Sequence, residues 1–403
     1  MNILLLGAGA SKSFTESKTH VKMPIAKDFF KTFNHLNIST NRWVLVGSVL
    51  NYLNAFHKIP YSDFIYYDKD IEILHSEIEE RLSTLLKNSE NIIETPEGLL
   101  IYKAYTELIF IFASVINEIQ NGPISQSHIN LARRLNNEDI IITFNWDTLM
   151  DRALSETTSW KTDNGYLVKP TKVYRNNWDD RNVTKLTDFP VLLKLHGSTN
   201  WLTSHFIPGE HRLKLMQETP VDDFYIYELT NKPYATYKGR YMEGYSDFSY
   251  GYYPPNLPLK GEKIPEGHFL TSITFTAPGM PFPTSSSEGL VSMPLIIPPV
   301  KNKSYSQFGS IFSQLWNKAE ESITRANRII IIGYSFPVTD TQTDIMFKKG
   351  LTKRTDFPEI IILDPQPENI LDRLVFEYGI EKSKIKIYKT YFSEDFNTEL
   401  LFK

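Results

Sequence analysis

The segment Asn2-Ile3-Leu4-Leu5-Leu6 ends in Gly7-Ala8-Gly9-Ala10-Ser11. Four apolar residues in unbroken succession suit a strand buried on both faces, because a half-exposed strand alternates. Two glycines directly after it permit a tight turn in which bare backbone approaches a neighbour or an anionic ligand. Similar runs recur at Ile140–Phe144, Val191–Leu195, Leu295–Ile297, Arg328–Ile332, Glu359–Leu363 and Ile385–Tyr388. Such runs read as strands of a parallel sheet, which needs long crossovers to return the chain.

The crossovers are legible as helices. Ile71, Leu74, Ile78, Leu82 and Leu85 share one stripe, with Glu72, Glu77, Glu79, Glu80 and Arg81 elsewhere. Leu99–Ile119 is apolar nearly all round, and Ser313–Asn327 is amphipathic and leads into the Arg328 run. The expected fold class is α/β, a Rossmann-like, doubly wound and mostly parallel sheet. Two stretches exceed a simple crossover. Residues 28–137 read as a mostly helical insertion. Residues 203–293 are rich in Tyr, Pro and Gly, as in Tyr241–Pro255, and read as an irregular, loop-rich excursion or contact surface.

Composition removes several classes of chemistry. The chain has no cysteine, which excludes disulfides, a thiolate nucleophile and a Cys-based zinc site. No two histidines stand at a metal-ligand spacing beside a carboxylate, so no metal is expected. A net charge of −4 provides no global basic field, and direct nucleic-acid binding is not expected. The uncharged run Leu108–Asn117 is too short to cross a bilayer, and the opening residues reach glycine too soon for a leader. A cytoplasmic protein without a membrane partner is the expectation.

Four further strand ends carry residues able to do chemistry. In an open α/β sheet, ligands bind outside the carboxyl ends of the strands. Ile140–Thr143 leads into Phe144-Asn145-Trp146-Asp147, where Asn145 can donate and accept and Asp147 accepts. The plainer reading makes Asn145 the N-cap of a helix that starts at Trp146. Val191–Leu195 leads into His196-Gly197, an imidazole able to exchange a proton near neutrality beside a residue free to turn. Arg328–Ile332 leads into Gly333-Tyr334-Ser335, and Glu359–Leu363 into Asp364, which suits a ribose hydroxyl pair. The glycine turn lacks the glycine before Lys12 that a P-loop requires. Lys12 also stands where the dinucleotide fingerprint has its third glycine. Asp28 lies at the distance of the ribose-binding acid, but within Pro24–Phe33, which reads as the start of a helix. Hydride transfer on an ordinary Rossmann site is therefore disfavoured.

These five elements, in this order, resemble the sirtuin superfamily in its zinc-free bacterial branch. The resemblance makes 1–403 a single Rossmann domain carrying the two insertions, and it implies NAD+ as substrate. Asn145 would orient the nicotinamide ribose and water, Asp147 would hold the carboxamide, and His196 would be the base acting through a ribose hydroxyl. Gly7, Ala8, Gly9, Ser11, Gly333, Ser335 and Asp364 would bind the rest of the dinucleotide, with no metal. Deacetylating sirtuins carry a four-cysteine zinc module where this chain has 203–293, so hydrolysis to nicotinamide and ADP-ribose is expected ahead of acyl-lysine removal. The family further implies anti-phage defence by NAD+ depletion, a homo-oligomer and a DNA-translocase-like ATPase partner. The helical insertion and the Tyr241–Tyr253 segment are the expected interfaces. A non-catalytic NAD+- or ADP-ribose-binding subunit and an ADP-ribosyltransferase or deacylase are the alternatives.

Overall fold

Six of the seven apolar runs form one parallel sheet. The structure, a computed structural model, describes residues 1–36, 46–88, 95–120, 122–170, 172–174, 189–204, 224–227, 249–252, 271–276, 290–297, 310–337 and 340–403. Its first half contains β1 (Asn2–Leu6), α1 (Ala8–Ser11), α2 (Phe29–His35), α3 (Gly47–His57), α4 (Ile71–Asn88), α5 (Pro96–Ile119), α6 (Gln126–Ala132), β2 (Ile140–Thr143) and α7 (Leu149–Thr157). There follow β3 (Lys172–Tyr174), β4 (Val191–Lys194), β5 (Gly197–Ser204), β6 (Phe224–Tyr227), β7 (Ser249–Tyr252), β8 (Thr271–Thr276) and β9 (Leu290–Ile296). The last part holds α8 (Ile311–Arg325), β10 (Arg328–Ile332), α9 (Thr341–Thr352), β11 (Glu359–Leu363), α10 (Glu368–Asp372) and β12 (Ile385–Tyr388).

The parallel sheet has the order β4-β2-β1-β10-β11-β12. Numbered by appearance within the sheet, this is the 3-2-1-4-5-6 order of doubly wound dinucleotide-binding folds. The switch point falls between β1 and β10. Leu6 is level with Ile332 on one side and Thr143 on the other, so three strands end side by side there. Ile3–Leu5, Ile329–Ile332 and Ile360–Ile362 are wholly buried, as strands covered on both faces must be.

The seventh run, Leu295–Ile297, belongs elsewhere. It ends β9, part of a second, mixed sheet of order β3-β6-β5-β9-β8-β7. An apolar run alone does not say which sheet takes it, because a strand buried in any core looks the same. The described parts of 203–293 are strands of this sheet, and the rest of that stretch lies outside the described residues. Tyr241–Pro255 is described only at Ser249–Tyr252, which is β7. The chain passes from the first sheet at Lys194 to the second at Gly197, across Leu195 and His196.

Between β1 and β2 the described elements are helical. Thr95 caps α5 by accepting from the Gly98 amide at 3.1 Å, with Pro96 at the first position, where its missing N–H is no loss. At 24 residues α5 far exceeds the ten-residue uncharged run seen in the sequence and is long and apolar enough to cross a membrane. Here most of it is buried within the protein, with Phe112 stacked on Phe29 at 5.3 Å. These helices share a core of their own that includes Phe29, Phe33, Leu53, Ile71, Leu74, Ile78 and Ile116.

One polar side chain sits badly in that core. His75 of α4 is 1 % exposed, edge-on to Tyr105, and neither ring nitrogen has a hydrogen-bond partner. Burial pushes its pKa from 6.5 down to about 3. His128 of α6 is likewise lowered by burial to about 4, though it shares a 2.8 Å hydrogen bond with Ser125. The unfolded chain takes up protons below about pH 6.5 that the folded chain refuses, so stability falls as the pH drops through that window. His75→Leu should raise stability near neutrality by about 1–3 kcal/mol, the cost of an unsatisfied buried polar group. Urea unfolding from pH 7 to pH 4 should also show a shallower loss in the variant, with the His128 contribution remaining.

Candidate active site

A cavity of about 550 Å³ opens at the switch point. Its floor is the ends of β1, β2, β4 and β10, and its roof comes from residues 23–29, the start of α4 and the C-terminal part of α5. Gly7, Ala8, Gly9, Ser11, Asn145, Asp147, His196, Gly333 and Ser335 all line it. Asp364 does not. Its carboxylate accepts from the Gln366 amide at 2.8 Å, and Gln366 reaches the cavity instead.

The glycines act first on the fold. A Cβ on Gly7 would stand 2.5 Å from the Gly333 carbonyl oxygen, and one on Gly333 2.5 Å from Gly9 Cα. The Gly7 and Gly9 amides donate to Ile332 O and Gly333 O at 3.1 and 2.9 Å. They close the β1 turn against the β10 turn, and Gly333 does so at φ +58°. Phe336, two residues beyond Tyr334, also holds a positive φ of 52°, a strained conformation for a side chain of that size.

Asn145 and Asp147 tie the β2 exit to that turn. Asn145 Nδ2 donates to Gly7 O at 2.7 Å and to Ser11 Oγ at 2.8 Å. Both amide hydrogens are thereby committed, and Oδ1 is the atom left to a ligand. Ser11 Oγ donates to Asp147 Oδ2 at 2.5 Å, while Asp147 Oδ1 accepts from the Leu149 amide at 3.1 Å. Asn145 is not a helix cap: α7 begins at Leu149, and the carboxylate at its N-terminus is Asp147. Trp146 between them is held by its indole, which donates to Ile297 O at 3.1 Å, and by its carbonyl, which accepts from the Thr199 amide at 2.8 Å.

His196 faces the same space from the β4 exit. Gly197 follows at φ +76°, and a Cβ there would lie 2.1 Å from Leu295 O, so only glycine lets β5 and β9 pair this close to the imidazole. The ring is 2 % exposed and walled by Phe144 and Trp146 at 5.3 and 5.9 Å. Its Nε2 stands 3.9 Å from Asp340 Oδ1. Asp340 Oδ2 accepts from the Tyr334 hydroxyl at 2.9 Å, and the Tyr334 ring stacks on Phe144 at 4.2 Å. Asp340 and Tyr334 both line the cavity, as does Trp146, and sequence reasoning singled out none of them. For Asp340 a signal existed, an acid just before the α9 run, but it looks like an ordinary helix cap.

The two residues that spoil the hydride-transfer fingerprint answer each other. Lys12 Nζ and Asp28 Oδ2 form a 3.1 Å ion pair, and Asp28 Oδ1 accepts from the Ile25 amide at 2.6 Å. Asp28 lies in a 3₁₀ turn, Ala26–Asp28, and ends no strand. Among the described residues no group of three or more His, Asp or Glu is placed to hold a metal ion.

No family model matches the chain, and no curated protein matches it. Among solved structures, a Sir2 homologue–NAD complex overlays 99 % of this chain and 87 % of its own, at 13 % identity and a TM-score of 0.38. A point mutant of a Sir2 homologue in complex with ADP-ribose overlays 91 % and 80 %, at 15 % identity and a TM-score of 0.30. The fold stands on the strand order above, and these overlays carry no residue's role across.

Behind the site a buried cation fixes the Asp147 main chain. Lys194, 1 % exposed at its side chain, donates to Asp147 O and pairs with Asp151 Oδ2 at 3.2 Å. The Tyr166 hydroxyl donates to the other Asp151 oxygen, and burial with that carboxylate beside it holds the phenol well above its usual pKa. Lys194→Met would strand Asp151 as an uncompensated buried charge and should cost about 3–5 kcal/mol. Adding Asp151→Asn, which keeps an acceptor for Tyr166, should recover part of that loss in urea unfolding.

Proposed function

We propose that this chain hydrolyses NAD+ at the nicotinamide–ribose bond, giving nicotinamide and ADP-ribose. The observation that supports this reading is the convergence of Asn145, Asp147, His196 and two glycine turns on one cavity at the switch point of the sheet. The nicotinamide leaves from a cationic nitrogen and needs no acid. The site has only to hold the ribose, stabilise developing positive charge at C1′ and admit one water. Asp70, Glu72, Asp147 and Asp340 border the cavity against Lys27 alone among the described charged residues, a balance that suits a cationic ring and an oxocarbenium-like transition state. Asn145 Oδ1 would orient the ribose, and His196 would take the proton released as water adds, by way of a ribose hydroxyl. The ribose contact expected of Asp364 would fall to Gln366.

The same reading extends to the cell. Unchecked NAD+ cleavage harms its own cytoplasm, so the chain would serve as an effector of anti-phage defence, held idle by assembly with itself or with an ATPase partner. A second reading, a subunit that binds NAD+ or ADP-ribose without turnover, is favoured by one observation: Asn145 and Asp147 are already committed to bonds within the fold.

Nicotinamide release from NAD+, followed by chromatography with and without the genomic neighbour's product, tests the proposal. His196→Ala should lower turnover about 10²–10⁴-fold, as loss of a general base does, and Asn145→Ala comparably, with thermal unfolding as the check on folding. Calorimetric binding of NAD+ with no nicotinamide under either condition would establish the second reading instead.

A further inference from the structure

Asp340 occupies a position that the cap of α9 would explain, yet it does not cap. It precedes Thr341, where an aspartate ordinarily accepts from first-turn amides, but its side chain makes no capping bond. The carboxylate is 6 % exposed and turned the other way, with one oxygen on the Tyr334 hydroxyl at 2.9 Å and the other 3.9 Å from His196 Nε2. Tyr334 is fixed in turn by its stack on Phe144 and by a 3.2 Å bond to Thr343 Oγ1. Among the described residues, the rings around His196 are Phe144, Trp146 and Trp316, none of them titratable. The other charged groups bordering the cavity, among the described residues, are Asp147, Asp70, Glu72 and Lys27.

We propose that Asp340 is the counter-charge of His196, a positioning carboxylate that orients the imidazole and stabilises its protonated form. This rests on the hydrolase reading for its place in a reaction. There, water adds to C1′ as the C1′–N1 bond breaks, and the bond's electron pair goes to the pyridinium nitrogen, leaving neutral nicotinamide. The proton of the water passes through the ribose hydroxyl to His196, and Asp340 balances the imidazolium so formed, without itself taking the proton. A separation of 3.9 Å is within ion-pair range and beyond a hydrogen bond. Catalytic hydrogen bonds commonly stand that far apart before substrate binds and shorten in the complex.

The test is the titration of His196 in the full chain. Histidine-labelled protein is followed by NMR from pH 5 to pH 9, the His196 signal being the one lost in His196→Gln. A nearby carboxylate favours the charged imidazole, so Asp340→Asn should move the His196 midpoint down by about one pH unit. The acidic limb of kcat/KM should follow it downward, with kcat reduced about 10–100-fold and KM little changed. Asp340→Glu should restore the limb in part. Asp340→Ser keeps a side chain able to cap α9 and serves if the asparagine variant does not fold. An unmoved His196 midpoint in either folded, charge-free variant overturns the proposal. A moved midpoint without any nicotinamide release by the wild type keeps the pair and removes the hydrolase reading.

Discussion

Gly7, Gly9 and Gly333 let the ends of β1 and β10 touch, and the site depends on that contact. A Cβ on Gly7 or Gly333 would meet backbone at 2.5 Å and one on Gly9 at 2.7 Å, and no rotamer change relieves a clash with a main chain. The contact brings Ser11 within reach of Asp147, and Asn145 within reach of both Ser11 and the Gly7 carbonyl. The glycines thus do less for a ligand directly than a glycine-rich turn suggests, since all three of their amides already serve a neighbouring strand or its turn. Their effect is to narrow the switch point until side chains from adjacent strand ends lock together.

The second constraint is the hand-over between sheets. His196 lies where the chain leaves the parallel sheet and enters the mixed one, and Gly197 permits the crossing within two residues. From the opposite side the strained Gly333–Phe336 turn delivers Tyr334 and, after it, Asp340. His196 follows the end of β4 by two residues, and Tyr334 follows the end of β10 by two. Strain of this kind persists only where surrounding structure over-determines it.

Much of this was legible in the sequence, and the reasons differ by element. The parallel strands were readable because burial on both faces leaves no alternation, and Ile329–Ile332 and Ile360–Ile362 are fully buried as that pattern requires. The same pattern misassigned Leu295–Ile297, since apolarity reports burial and not partnership. Strands within 203–293 were hidden by Tyr and Pro, residues that serve loops and edge strands alike. Asn145, Asp147 and His196 could be placed at strand ends by counting, and the cavity gathers them. Asp364 was placed by the same logic and turns back on its own loop. Asp340 was invisible because its spacing to His196 is set by tertiary structure, and an acid before a helix has an adequate local explanation.

The polar groups in and behind the cavity divide into two kinds. Ser11, Asn145, Asp147, Lys194 and Asp151 satisfy one another or the main chain, and they hold the β2 exit rigid. His196, Asp340, Ser335 and Gln366 border the cavity from the other exits, and Ser335 and Gln366 are exposed to it. Preorganised sites gain because the cost of ordering their dipoles is met on folding and not at the moment of reaction. In the proposed cleavage at a ribose, the first group would supply a fixed surface for the sugar, and proton movement would fall to the second. In the proposed reaction the imidazole would be the base among these four, with the Asp340 carboxylate 3.9 Å from its Nε2. On the proposed reading the Asn–Asp element would set where a dinucleotide lies, and the His196–Asp340 side whether it is cleaved.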